Sequence, residues 1–292
     1  MASRNKIDSR EVGLVIGLIF SRYLLDSEYL HYGYWTEDME VNFQGMKAAQ
    51  EKYADFLASQ IPGEKLQILD VGCGTGMFAS YLTERGHKVD CVSPAMLLTK
   101  RAQELLGDAV TIYQCMFEDL QTDNRYDLIL FSESFQYVNI KKALDKCSTL
   151  LNDEGHVLIS DFFRTSQSGN GNGKSLIGGG HKFTKFERIV AEYPFNLVHD
   201  TDITDETAPS INVFNDFTVK VGKPVHELIM HVLNNNHPLF HRIIKWKYRE
   251  KLEKIDRKYF SGKRDAEHFK LHKTYRCLLY QKSGHVSEGV DD

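Results

Sequence analysis

The stretch ILDVGCGTGMFASYL, from Ile68 to Leu82, decides the fold. It opens as an apolar run of β type, places Gly72, Gly74 and Gly76 at every second position, and takes on helical spacing from Met77. A strand that turns through glycines into a helix is the building unit of open α/β sheets, whose ligands sit at the carboxyl ends of the strands. The three glycines remove Cβ atoms that would hold a ligand away from the backbone, and they permit backbone angles closed to other residues. A nucleotide derivative is the expected visitor.

The spacing narrows the ligand. A dinucleotide fingerprint requires G-x-G-x-x-G, whereas counting on from Gly72 and Gly74 gives Met77 at the last place. Asp90 nevertheless lies near the offset of about 20 residues expected for a ribose-binding carboxylate. Further runs of β type follow at HKVDCV, VTIYQC, YDLILF and HVLISDF, and they alternate with amphipathic helices such as MFASYLTER, PAMLLTKRAQELL and KKALDKCSTLL, the last closed by the turn NDEG. That alternation predicts a parallel sheet covered by crossover helices. After Phe163 the glycine-rich RTSQSGNGNGKSLIGGGH is too long for an ordinary connection and reads as a lid loop. Beyond it the pattern predicts a helix at FTKFERIVAEY, a strand near NLVHDTDIT, helical material from Asn215 to about Tyr259, a last strand at TYRCLLY and a frayed polar tail.

With 292 residues, 42% of them hydrophobic, the chain can build a substantial core. Its 36 basic and 40 acidic side chains give a net charge of −4, which offers no global attraction for nucleic acid. Five scattered cysteines without a C-x-x-C pair argue against a disulfide framework or a cysteine-rich zinc site, and they fit a reducing cytoplasm. The twelve histidines show no H-E-x-x-H, so no metal is expected. The N-terminal apolar stretch is broken by charge before it reaches the ~20 residues of a membrane span and lacks a signal cleavage site, so no membrane insertion is expected. Val12, Val15, Ile16, Ile19, Phe20, Tyr23 and Leu24 instead follow helical spacing, with Asp8 and Glu11 placed as a capping box, as in a helix laid on an apolar surface. The segment from Lys245 to Lys273 is locally basic; Glu250 with Lys254 and Glu253 with Arg257 suggest a solvated face, and an anionic acceptor or a membrane surface is the other reading.

The run L-D-V-G-C-G-T-G resembles motif I of class I S-adenosylmethionine-dependent methyltransferases, with Asp70, Gly72, Gly74 and Gly76 matching residue by residue. YLHYGYW at Tyr29 to Trp35, FEDL at Phe117 to Leu120, and SESFQYV at Ser132 to Val138 are similar to segments of the small-molecule group of sarcosine and rebeccamycin-sugar type. The resemblance covers about Tyr32 to Phe163. It implies a Rossmann-like α/β fold, a seven-stranded sheet with its final strand antiparallel and helices on both faces, plus a helical cap. It further implies S-adenosylmethionine as cofactor, held by Asp70, the three glycines, Ser93, Phe117 and Ser132, with Tyr32, Tyr34 and Trp35 closing over it. Ser93 stands where many members carry a ribose-binding acid, and Met116 where an aspartate is common, so the Phe117 amide is expected to read adenine. Ordinary core packing is the other reading of the three aromatics.

Methyl transfer needs an aligned nucleophile, excluded water and, for a hydroxyl acceptor, a base. Relatives carry histidine just after the fourth strand, where this chain has Gln136 and Tyr137. Asp161, with His181 beyond the glycines, is therefore the expected acceptor-binding or basic pair, and Gln136 and Tyr137 the orienting pair; loop and helix capping are the structural alternatives for Asp161 and His181. The expected layout is a helical cap over 1–60, a cofactor core over 61–165, a glycine-rich lid, helix and strand over 166–214, a helical insertion over the acceptor site at 215–262, the last strand at 263–284 and a tail at 285–292. The implied activity is methylation of a small-molecule acceptor. A macromolecular methyltransferase, which would favour N-P-P-Y or D-P-P-Y where this chain has S-E-S-F, and a noncatalytic cofactor-binding regulator are the competing readings. None of these motifs sets the oligomeric state.

Overall fold

The computed structural model describes residues 9–168 and 176–283. Seven strands form one sheet: β1 (Gln67–Val71), β2 (Lys88–Val92), β3 (Thr111–Tyr113), β4 (Tyr126–Ser132), β5 (Leu151–Arg164), β6 (Phe195–Asp202) and β7 (Lys273–Lys282). Their spatial order is β3-β2-β1-β4-β5-β7-β6, with β7 antiparallel to both neighbours and the other pairs parallel. The expected Rossmann-like α/β sheet is therefore the observed one. The strand order reverses between the parallel neighbours β1 and β4, so the carboxyl ends of those two strands mark the sheet's switch point, where open α/β sheets form a crevice.

Both sheet faces are covered, which is why the central strands are apolar throughout rather than alternating. Ile68, Leu128, Leu130 and Leu158 point into one core, while Leu69, Ile129, Phe131, Val157 and Ile159 point into the other. The first core receives α2 (Met46–Ser59) through Tyr53 and Leu57 and α3 (Met77–Glu84) through Phe78 and Leu82. It also takes Ala102 of α4 (Met96–Leu106). The second receives α5 (Ile140–Leu150) and α6 (Phe183–Val190). Each such large apolar side chain contributes roughly 1.5–3 kcal/mol when fully buried.

Three local expectations change. The NDEG segment lies inside β5, where Leu151 pairs with Tyr126 before a register shift and Glu154 adopts a φ of 61°. The N-terminal helix α1 (Ser9–Phe20) buries Leu18, while Val12, Ile16, Ile19 and Phe20 of its stripe stay exposed; only the edge of the helix meets the body, where Phe20 packs edge-on against Phe217. Asp8 lies outside the described residues, and Glu11 Oε1 accepts instead from the Leu97 amide at the start of α4.

Past β6 come α7 (Thr204–Thr207), α8 (Pro209–Phe217), α9 (Lys223–Asn236), α10 (Pro238–Ile255) and α11 (Ala266–His272). The α9–α10 hairpin stands apart from both cores: α9 buries no side chain and α10 only His241. In α10, which kinks at Tyr248, the ion pair formed is Arg249–Glu253 rather than either pair expected from spacing. Of the described helices, none is long and apolar enough to cross a membrane. The middle of the glycine-rich lid and the polar tail lie outside the described residues.

Candidate functional site

The three glycines of the turn after β1 all have positive φ, at 81°, 57° and 83° for Gly72, Gly74 and Gly76, so all three need glycine's conformational freedom. Their surroundings differ. A Cβ on Gly72 would lie 2.5 Å from Cβ of Ser134, whose hydroxyl donates to the Val71 carbonyl. One on Gly76 would meet Leu106 and Ala102 of α4 at 2.9 and 3.1 Å. Only at Gly74 is there room, with Leu30 at 3.9 Å. The expectation that all three glycines make way for a ligand is thus corrected: two make way for protein, because the turn interlocks with the loop after β4 and with α4.

Two carboxyls stand at the ends of the strands beside this turn, Asp70 buried and Glu133 partly buried. Asp70, at the end of β1, has no side-chain hydrogen-bond partner among the described residues, and burial pushes its pKa up to about 7. Glu133 follows β4 with a strained φ of 53°. Its Oε1 accepts from the Tyr32 amide at 2.7 Å and from the Tyr275 hydroxyl at 2.9 Å, and burial pushes its pKa up to about 8. The Tyr275 and Tyr53 hydroxyls lie 2.8 Å apart, and Tyr53 donates to Ser160 at 2.8 Å, with Ser132 3.4 Å away. Strands β4, β5 and β7 and helix α2 therefore fix Glu133 together. The His31 ring packs against Tyr29 and Tyr53, and its Nε2 is buried without a partner.

Asp161, near the end of β5, is buried, and its carboxyl faces the turn after β4. Oδ2 accepts from the Gln136 amide at 2.9 Å, while Oδ1 accepts from the Phe162 amide at 2.8 Å and from Gln136 Nε2 at 3.3 Å. Burial, opposed by these bonds, raises its pKa to about 7. Tyr137 in the same turn is half exposed. His181 Nε2 lies 3.0 Å from the Phe135 carbonyl, and the ring borders a cavity formed with α5 and α6. The glycines just ahead of it are pinned: Lys273 Nζ donates to the Gly179 carbonyl at 2.5 Å, and Gly180 lies against Phe162. Burial lowers the Lys273 pKa to about 8.

The aromatic segment splits. Tyr32 stacks on Phe162 at 6.2 Å and borders a cavity of about 210 Å³ with Ile211, Phe214, Asn215, Phe217, Thr218 and Arg264. Tyr34 stacks on Phe56 at 4.9 Å. Trp35 is buried with Leu25, Met46, Ala49 and Val213, its Nε1 donating to Ser210 at 2.9 Å, so its indole locks the N-terminal segment onto α8. Ser93 is buried just past β2, and its hydroxyl accepts from the Ala95 amide. Asp90, two residues before the end of β2, is held by Tyr126 and Asn124 at 2.9 and 3.0 Å, so it braces the sheet rather than facing the crevice. The Phe117 ring is buried edge-on against Phe131. Among the described residues no cluster of His, Cys, Asp and Glu could hold a metal.

The sequence reading missed Glu133, Arg264 and Asn215. Glu133 sits inside SESFQYV, and a signal existed: a carboxylate directly after an apolar strand. Arg264 was one of many cations in a basic segment, and no periodicity separates it from the others.

Residues 46–200 match the model of the methyltransferase domain family. A malonyl-[acyl-carrier protein] O-methyltransferase of Ilyobacter polytropus is 36% identical over 123 residues, which cover 39% of this chain and 45% of that one. The chain thus spans about half the length of the curated relatives it matches. Among solved structures, a candidate sarcosine dimethylglycine methyltransferase from Galdieria sulphuraria superposes with a TM-score of 0.65 at 19% identity, covering 92% of this chain and 98% of that one. Geranyl diphosphate C-methyltransferase from Streptomyces coelicolor, solved with S-adenosyl-L-homocysteine, gives 0.64 at 14% identity over 95% and 100% of the two chains. Matched over more than half its length, the chain belongs to the methyltransferase domain family.

Proposed function

We propose that the protein transfers a methyl group from S-adenosylmethionine to an oxygen of a small-molecule acceptor. The observation that carries this reading is a pair of carboxyls with raised pKa at the ends of β1 and β4, the buried Asp70 and the partly buried Glu133, together with the glycine turn whose open position is Gly74. A buried carboxylate without a partner among the described residues, as at Asp70, is costly, and a cationic ligand relieves that cost by Coulomb attraction. S-adenosylmethionine has two cationic groups, an ammonium and a sulfonium, so these residues fit it. Asp70, Gly74, Ser93, Ser132 and the chain at Phe117 would hold it. When bound, it supplies an electrophilic methyl on sulfur, and sulfur retains the electron pair when that methyl departs.

The chain's own residues divide the remaining work. Tyr32 links the two halves, because its amide is bonded to Glu133 while its ring borders the cavity beside α8. That cavity takes the acceptor. Glu133 takes the proton of the acceptor hydroxyl as the oxygen–methyl bond forms; its raised pKa brings it close to neutral pH, where a general base is most effective. Asp161 acts as a positioning residue: its oxygens hold the Gln136 turn, and through Ser134 that turn is bonded to the end of β1. His181, on the α5–α6 side, braces Phe135. Tyr137 and Gln136 border the approach, with Lys273 fastening the carbonyls of Gly178 and Gly179 nearby. The five unpaired cysteines suit a reducing cytoplasm, and the net charge of −4 suits a small acceptor rather than nucleic acid.

Calorimetric titration with S-adenosylmethionine, with NAD as the control, tests the cofactor half. Selective binding of the former is expected; preference for NAD, or an Asp70→Asn variant that binds as tightly as the parent, overturns the reading.

A further inference from the structure

The cavity beside Tyr32 has aromatic and aliphatic walls from Tyr32, Ile211, Phe214 and Phe217, and two polar side chains at its border that are left incomplete. Arg264 Nε is buried and donates to nothing, and among the described residues no carboxylate lies within ion-pair range of that guanidinium. Its recorded contact is with the Tyr259 ring, 5.4 Å from the guanidinium carbon. Asn215 Oδ1 is buried and accepts nothing. The orientation of that amide is set, because Nδ2 donates to the Gly262 carbonyl at 3.2 Å. An acceptor oxygen and a cation without an ion-pair partner among the described residues therefore line one largely apolar cavity. The Thr218 hydroxyl is already committed to the Asn215 carbonyl.

Buried donors and acceptors are ordinarily satisfied, and buried charges ordinarily paired. The first rule fails here for Arg264 Nε and Asn215 Oδ1, and the half-buried Arg264 has no ion-pair partner among the described residues. A water could serve Asn215, but a guanidinium fork calls for a planar anion, which it binds through parallel hydrogen bonds. An acidic side chain in the cavity would have filled that need internally, and none borders it. The volume of about 210 Å³ falls below the roughly 300–1,000 Å³ of pockets for drug-sized ligands, so the body of the occupant is of the order of one ring.

We infer that this cavity is an acceptor subsite for a small, single-ring or equally compact hydroxycarboxylic acid, whose carboxylate pairs with Arg264 and whose adjacent hydroxyl donates to Asn215, the oxygen that loses its proton to Glu133 being a second hydroxyl on the same compact body. The inference rests on the methyl-transfer reading for the word acceptor, but the anion subsite itself stands on the cavity alone. It also places the selectivity at the two roots of the α9–α10 hairpin, since Asn215 precedes the insertion and Arg264 follows it. The hairpin's own helices contribute no wall to this cavity.

Salicylate is the probe, with 2-hydroxybenzamide as its neutral isostere and benzoate as the compound lacking the hydroxyl. Each is titrated into the full chain saturated with S-adenosylhomocysteine. Salicylate is expected to bind at least tenfold more tightly than the amide and severalfold more tightly than benzoate. Arg264→Met should erase the preference over the amide, Arg264→Lys should keep part of it, and Asn215→Asp should weaken salicylate at least tenfold, all with S-adenosylhomocysteine affinity unchanged. Equal binding of acid and amide, no binding of salicylate, or a preference that survives in Arg264→Met overturns the inference. The retained S-adenosylhomocysteine affinity shows that the variants are folded. Failure of the parent to bind S-adenosylhomocysteine breaks the cofactor reading, and salicylate titrated alone then decides the subsite.

Discussion

The proposed cofactor side and the proposed acceptor side are built on opposite plans. The first is made of backbone turns and two carboxyls at the ends of neighbouring strands, and its pieces Asp70 and Gly72 to Gly76 lie within seven residues of one another. The second is made of side chains as far apart as Tyr32 and Arg264, gathered at the roots of a hairpin with almost no core of its own. A site made of backbone has to be packed on every side, so its glycines answer to protein neighbours as well as to ligand. A site made at the roots of an insertion can change its side chains without disturbing the sheet.

The strongest way to break this contrast is at Gly72. Gly72→Ala places a Cβ against Ser134 at positive φ and is expected to cost about 3 kcal/mol of stability, read from urea unfolding. Gly74→Ala faces open space and should cost about 1 kcal/mol while weakening S-adenosylmethionine binding at least tenfold. If both variants lose stability alike, the division between packing glycines and a ligand-facing glycine is wrong.

Next comes Glu133→Gln, expected to lower turnover about 100-fold. In the parent the rate should rise with pH through about 8, because a base works only when deprotonated; the variant should lack that limb. A parallel profile in parent and variant would remove Glu133 as base.

Asp70→Asn sharpens the comparison by separating binding from stability. Burial raises this carboxyl from about 3.9 when unfolded to about 7 when folded, so the folded chain favours the protonated form. The stability associated with that proton is fully present below about pH 4 and is lost as pH rises through 7. The variant without ligand should therefore be more stable than the parent at pH 8, by about 1–2 kcal/mol, yet bind S-adenosylmethionine at least tenfold more weakly. Melting at pH 5 and pH 8 reads the first effect and calorimetry the second; no pH-dependent difference would contradict the burial argument.

The smallest effect belongs to the hairpin. Trp246→Ala, at a side chain 83% exposed, should change unfolding stability by under about 0.5 kcal/mol. A larger loss would mean that α10 has a packing role the monomer does not reveal.

The sequence by itself determined the sheet and the glycine turn that follows its first strand. Strand runs such as ILDV and the glycine turn are local signals, set by side-chain periodicity and by backbone angles open only to glycine. It also marked Asp161 and Trp35 as notable, but not what they touch. Only the tertiary structure decided that Asp161 holds the Gln136 turn, that Trp35 is bonded to Ser210, and that Gly72 and Gly76 serve packing. Likewise, only the fold separates Arg264 from the other cations of its basic segment, because its burial and its lack of a partner among the described residues depend on residues as distant in sequence as Tyr32 and Ile211. Local pattern fixes elements and turns; which charge is left unpaired is fixed by what the chain brings beside it.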